Sequence, residues 1–269
     1  MRRTVASIDT DLRGRRWVAA PALPPVDLTG FTLPQVVFAA AAWPMRAAEE
    51  LRSALIFRAL ARAAVAANLP EPWPKRFAAM VVDEIRHARL CADVGSRLGA
   101  DRPRYDARPV RACLAALPDP IGRTTAILLT EAAMGETISM ALFRAGRRAS
   151  TEPLTRAALG AILGDEVRHQ RNGWTGITAL WPSLSGLQRE ALQNEATSGF
   201  AAFERHVAVP ALRRLEAGEP FDPAFAALGV LAPEARVDAF YRAVEHLVVP
   251  RLTALGLDGA RAWNERYRR

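Results

Sequence analysis

One pentapeptide occurs twice in this chain: Asp83-Glu84-Ile85-Arg86-His87 returns as Asp165-Glu166-Val167-Arg168-His169. In an α-helix, residues at i and i+3 project from one face about a turn apart, so each copy offers a carboxylate and an imidazole to a common point. Of the four histidines in the chain, two lie in these copies. A fold that uses the repeat has to bring two helices face to face at this level, and two such copies can hold two metal ions.

The rest of the composition suits helices. Half of the residues are hydrophobic, alanine and leucine dominate, and strand-favouring β-branched and aromatic residues are sparse, which predicts an all-α protein. With 269 residues, a core can form without disulfide staples. Cys91 and Cys113 belong to no CxxC or zinc pattern and read as two reduced thiols. The arginine-rich N-terminus lacks the apolar core of a signal peptide, and the apolar stretch from Val36 to Trp43 is too short to span a bilayer, so the expected location is cytoplasmic, with no membrane partner. The net charge of +8 comes almost wholly from arginines spread along every segment, with Lys75 the only lysine. That dispersion argues against a nucleic-acid footprint.

Proline and glycine divide the chain. Residues 1 to about 33 are Pro-rich and read as an extended arm. A short helix is expected from Leu33 to Trp43, and Pro44 then opens a longer helix to about Asn68. After the break Leu69-Pro70-Glu71-Pro72-Trp73-Pro74, a second helix runs from Lys75 to about Leu98, closed by Gly99. The Pro-rich stretch from Ala100 to Pro120, with a short helix at Val110 to Leu117, can extend roughly 60 Å, enough for a crossover along a bundle. The next helix starts at an Asp119 cap and runs to about Arg148. Another follows from Glu152-Pro153 to about Leu180, where Pro182 ends it. Two amphipathic segments, Ser185 to about Glu216 and Pro233 to about Leu255, and a short terminal helix complete the chain. The expected organisation is an arm and short helix over 1–44, a four-helix bundle over 45–182, and C-terminal helices packed on it over 183–269.

The acidic residues fit this layout. In an antiparallel helical pair, residues level with one another lie equally far from the turn. Glu50 and Glu84 straddle Ala67, and Glu136 and Glu166 straddle Thr151. Each hairpin thus sets one glutamate level with one ExxH. Glu49 and Glu131 are rivals for the lone-glutamate positions. Glu50 is preferred because Ser53, Ala54 and Phe57 continue its face, and Glu136 because Ala132, Ala133, Ser139, Met140 and Phe143 line its own, although Glu131 also has an apolar face. His206 and His246, lone histidines on later helices, are left out of the site.

Two helical hairpins, a crossover between them, a glutamate on the first helix of each and ExxH on the second resemble the ferritin-like di-iron carboxylate proteins. The resemblance covers about Met45 to Leu180. It implies a four-helix bundle with a long crossover, extended here by the C-terminal helices, and a ligand set of Glu50, Glu84, His87, Glu136, Glu166 and His169, which would also carry the catalysis. It further implies that Asp83 holds His169 and Asp165 holds His87 through the imidazole nitrogen facing away from the metal, with Arg86 and Arg168 neutralising these aspartates. Four carboxylates and two imidazoles suit two iron ions, and also Mn/Fe or Mn/Mn pairs, better than a structural zinc.

The full DExRH in both hairpins is similar to bacterial multicomponent monooxygenases rather than to storage ferritins or rubrerythrin-like proteins. The activity implied is an O2-dependent oxidation of a small organic substrate by hydroxylation, N-oxygenation or oxidative cleavage. Electrons would come from an external donor or from the substrate. A ferroxidase or metal-storage protein is the alternative, and an RNA-modifying hydroxylase a further one. The long amphipathic helices and the arm are compatible with a homodimer.

Overall fold

The structure is a computed structural model that describes residues 22–101, 105–108, 110 and 120–267. The first part of the expected arm, Cys113, the Asp119 cap and nearly all of the helix expected at 110–117 lie outside the described residues. No strand occurs among the described residues, and the fold is all-α.

Four long helices form the bundle: α1 (Leu33–Ala66), α2 (Trp73–Arg97), α3 (Pro120–Ala149) and α4 (Pro153–Leu180). The helix expected to stop at Pro44 runs straight through it. An interior proline removes a ladder hydrogen bond and crowds the preceding turn, at about 3 kcal/mol. Here its ring packs on Gly95 of α2, where an added Cβ would lie only 3.3 Å away. Trp43 beside it is fully buried and bonds Leu228 through its indole N–H, at 3.2 Å. Ala39, Ala40 and Ala47 are buried around it, so both sides of the proline are held to one core and the break does not form.

The helix ends follow the local chemistry. Asn68 and Gly99 take left-handed φ values of 52° and 91° where α1 and α2 stop, and Ala100 N–H reaches back to Gly95 O, a closure that favours glycine. The Glu152 carboxylate caps α4 by accepting from Leu154 and Thr155 N–H at 3.1 and 2.7 Å. A third bond to this carboxylate, from Asp27 N–H at 3.0 Å, fastens residues 22–32 across the bundle end.

Two hydrophobic clusters fix the helix directions. One gathers Ala39, Trp43, Leu90, Val94, Leu154 and Ile162, and the other gathers Phe57, Leu60, Phe77, Met80, Leu128 and Ile177. Thus α1 and α4 run from the first cluster to the second, whereas α2 and α3 run from the second to the first. With α2 and α3 parallel, the end of α2 and the start of α3 lie at opposite ends of the bundle, about 37 Å apart for a 25-residue helix. The candidate ligands lie between the two clusters.

The C-terminal part adds α5 (186–216), α6 (Pro223–Ala227), α7 (233–255) and α8 (Gly259–Asn264). Phe200, Phe240, Val244 and Leu252 share the second cluster with the bundle. Three helices contain π turns: Leu128–Gly135 in α3, Glu204–Ala208 in α5 and Val244–Val248 in α7. The last two precede Pro210 and Pro250, and His206 and His246 stand four residues before those prolines. A proline ring collides with the carbonyl four residues back in a regular helix, and a wider turn relieves that collision. Both histidines are exposed and occupy these turns. Pro120–Ala149 is long and apolar enough to cross a membrane by length and composition, but 61% of its apolar window is buried inside the protein.

Candidate metal centre

The repeat places Glu84 and His87 on one face of α2 and Glu166 and His169 on the facing side of α4, while α1 contributes Glu50 and α3 contributes Glu136. All six side chains are buried, with no residue more than 6% exposed. They form two overlapping four-donor groups, Glu50, Glu84, His87 and Glu166, and Glu84, Glu136, Glu166 and His169, each with its donor atoms within 4.8 Å of one another. Glu84 and Glu166 belong to both groups and lie between them. His87 Nδ1 stands 3.2 Å from Glu166 and 3.6 Å from Glu50, and His169 Nδ1 stands 2.9 Å from Glu84 and 3.2 Å from Glu166.

Behind the imidazoles the pairs cross between hairpins. His87 Nε2 lies 3.2 Å from Asp165, and His169 Nε2 lies 3.2 Å from Asp83. Arg86 bridges Asp83, at 2.8 Å, and Asp165, and Arg168 contacts the same two carboxylates. Two aspartates and two arginines cancel in charge. Each imidazole is therefore turned with Nδ1 toward the centre, fixed by the carboxylate at its other nitrogen.

The four glutamates have no such neutralisation. Burial raises Glu50 and Glu136 well above the usual carboxylate range, reinforced by the charges of Glu84 and Glu166 respectively. Burial acts in the same direction on Glu84 and Glu166, but the neighbouring histidines overcome it and hold both below that range. Burial also opposes charge on His87 and His169, yet the surrounding carboxylates raise both well above the ordinary imidazole value. Without a cation, the cluster meets its own repulsion by taking up protons.

The donor set fits a pair of divalent cations. Both Glu84 oxygens, Glu166 Oε2, His87 Nδ1 and His169 Nδ1 are buried without a well-formed hydrogen bond. Buried polar atoms are normally paired, and here the unpaired ones converge on one point. The donors are carboxylate and imidazole, both ordinary ligands of divalent metal ions.

The π turn in α3 brings Glu136 and its rival Glu131 to one side, and Arg52 tells them apart. At five residues' spacing, two side chains point apart on an α-helix but fall on one side of a π turn, whose bonds span i to i+5. Both glutamates accordingly line the same cavity, but Glu136 enters the centre and Glu131 is taken by Arg52 in a two-pronged pair at 3.0 and 3.1 Å. Glu49 is half-exposed and lies 3.6 Å from His206. The turn after Glu136 is held by Thr137, whose hydroxyl accepts from Trp174 at 2.9 Å and Gln170 at 3.2 Å. On α4, Gly173 lies against the α3 backbone, where a Cβ would come within 2.2 Å of Ala132 O. Cys91 is buried nearby, and burial pushes its thiol upward, away from thiolate chemistry.

A cavity of about 640 Å³ reaches Glu50, Glu84, Glu136 and Glu166. Its walls come from α1 and α3 on one side and α5 and α7 on the other, and include Ile56, Phe57, Ile138, Leu142, Phe143 and Phe203. Sequence reasoning named the six candidate ligands and, on the faces of Glu50 and Glu136, Ser53, Phe57, Ser139 and Phe143, which line this cavity; it missed the residues of α5 and α7 that complete it, because these helices lie far away in the chain. The sequence itself offered one sign of the π turns: a proline inside an otherwise helical pattern, at Pro210 and Pro250. No protein-family model matches the chain, and no curated protein matches it.

Proposed function

We propose that the chain is an O2-dependent oxidoreductase of the ferritin-like di-iron carboxylate type, acting in the cytoplasm on a small organic substrate. The observation that supports this most is the meeting of unpaired buried donors with an apolar cavity at the same four glutamates. A purely structural cluster would need its donors satisfied and would have no use for an access route.

Glu50, Glu84 and His87 would hold one iron and Glu136, Glu166 and His169 the other, with Glu84 and Glu166 placed to contact both. The metal pair would supply electrons to O2 and a site for its activation. Asp83 and Asp165 keep the imidazole Nδ1 atoms aimed inward, Arg86 and Arg168 hold those aspartates ionised, and the apolar walls of the cavity limit water beside the bound substrate. For a hydroxylation or N-oxygenation the balance is one substrate X–H, one O2, two electrons and two protons, giving X–OH and water. The two electrons come from a separate electron-transfer protein.

The test is elemental analysis of anaerobically purified protein, followed by O2 uptake after Fe(II) is added. We expect about two metal ions per chain, the capacity of two overlapping donor groups, and O2 consumption that His87→Ala and His169→Ala abolish. A wild-type chain that binds no iron ends this reading, and iron accumulating as a mineral core would replace it with storage.

A further inference from the structure

Four arginines line the cavity: Arg46, Arg52, Arg214 and Arg236. Two are committed. Arg52 grips Glu131, and Arg214 bonds Glu219 at 2.8 Å. Neither of the other two makes an ion pair among the described residues, although the charge of Glu50 acts on Arg46. Arg46 donates from one terminal nitrogen to Gly229 O at 3.2 Å, while the other, Nη1, is buried with no acceptor. Its guanidinium stands over the Trp43 ring at 4.6 Å and the Phe143 ring at 5.9 Å, so it is held in position without being neutralised. The Arg236 guanidinium, from the first turns of α7, has no hydrogen bond or ion pair among the described residues, and its backbone N–H bonds Ala232 O. Desolvation lowers its pKa, and so does the charge of Arg46, which places the two cations within repulsive reach of each other.

An unpaired charge in a partly dry site is destabilising. Two of them in the wall of one cavity, Arg46 on α1 and Arg236 on α7, are explained by an anion that the fold does not itself contain. Planar guanidinium forks match a carboxylate in shape and charge. In a largely apolar wall, a singly charged carboxylate costs less to desolvate than a doubly charged phosphate ester. The same cavity is lined by Ile56, Phe57, Ile138, Leu142, Phe143 and Phe203, apolar surface for the body of such a ligand.

We propose that Arg46 and Arg236 bind the head group of an organic monocarboxylate, whose apolar body lies along the cavity toward the metal centre. As a statement about the substrate this rests on the oxidase reading above; as a binding site it stands on the arginines alone. Arg46 and Glu50 are four residues apart on α1, about 6 Å along the helix axis, and both line the one cavity.

The test is calorimetric titration of metal-free and Mn(II)-loaded full-length protein with benzoate, 4-phenylbutanoate and octanoate, each against its primary amide. We expect at least one acid to bind about tenfold or more tightly than its amide, the loss of a charge-assisted bond being sufficient for that ratio. Arg236→Met removes the preference, and Arg236→Lys restores part of it. Because the Arg236 side chain makes no hydrogen bond or ion pair among the described residues, Arg236→Met keeps its metal stoichiometry and melts no lower than wild type without ligand, a result that a merely structural arginine would not give. Arg46→Gln, which also gives up the Gly229 bond, loses the same preference. Equal binding of acids and amides, or a preference that survives Arg236→Met, overturns the proposal. A chain that prefers the acids but takes up no iron keeps the head-group site and loses the oxidase reading, so the two failures are distinguishable.

Discussion

Two buried carboxylate clusters in this molecule have opposite hydrogen-bonding states. Glu204, in the π turn of α5, is 4% exposed and fully caged: Tyr241 and Tyr267 donate at 2.6 and 2.7 Å, and Arg266 donates from Nη2 at 3.1 Å and also from Nε. Burial raises its pKa, but Arg266 and the two tyrosines more than reverse this, and it titrates below the usual range. Glu84 and Glu166 are as deeply buried and keep oxygens with no donor. Depth alone therefore does not distinguish a structural carboxylate from a binding one. The useful criterion is whether the fold has already supplied the partners.

Metal addition should separate the clusters most strongly. Fe(II) or Mn(II) at a thousandfold excess over Kd should stabilise the protein by about 4 kcal/mol per site, read as a rise in melting temperature. Glu204→Gln should keep that rise and His87→Ala with His169→Ala should lose it. A similar rise in the double variant would place the metal elsewhere and end the contrast.

Gly173→Ala comes next. Its methyl group meets backbone rather than a movable side chain, so α3 and α4 have to separate, and we expect a loss near the upper end of roughly 1–3 kcal/mol. Metal stoichiometry should fall with it, because Glu136 and His169 sit on the separated helices. Denaturant unfolding and metal analysis of one preparation check both.

Glu204→Gln should cost about 1–3 kcal/mol by leaving Arg266 and two hydroxyls short of an anionic acceptor. The pH dependence carries the sign. A carboxylate with a depressed folded pKa stabilises above its unfolded value and loses that contribution as pH falls through the folded one. The difference between wild type and variant should be full at neutral pH and close in acid, below the usual carboxylate range. Glu136→Gln should have the smallest effect, within about 1 kcal/mol in metal-free protein, because an amide replaces a carboxyl whose raised pKa already favours the neutral acid. A large loss on Glu136→Gln would show that the centre is held by its own charges, as the Glu204 cage is.

Much of the bundle was legible in the sequence because its signals are local or evenly spaced. The repeated DExRH, the proline breaks and the equal distances of Glu50 and Glu84 from Ala67 each need only helix geometry. Glu50 and Glu136 were preferred over Glu49 and Glu131 by their faces, and the structure brings the preferred pair together. What was not legible depends on residues far apart in the chain. The helix continues through Pro44 because Gly95, fifty-one positions later by number, leaves room for it. Glu204 is caged by Tyr241, Arg266 and Tyr267, none of which stands out in sequence, and Arg46 becomes an unpaired cavity cation only when Gly229 and Arg236 pack beside it.

The crossed aspartate–histidine pairs have a further consequence for how the molecule matures. Each imidazole is aimed by an aspartate from the other hairpin, so neither hairpin alone presents a correctly oriented ligand. With metal bound as proposed, capture would work as a quality check on assembly: a chain whose halves had met out of register would have mis-set donors and would go without its ions. Folding would then come first and loading second, with loading as the signature that the halves have docked correctly.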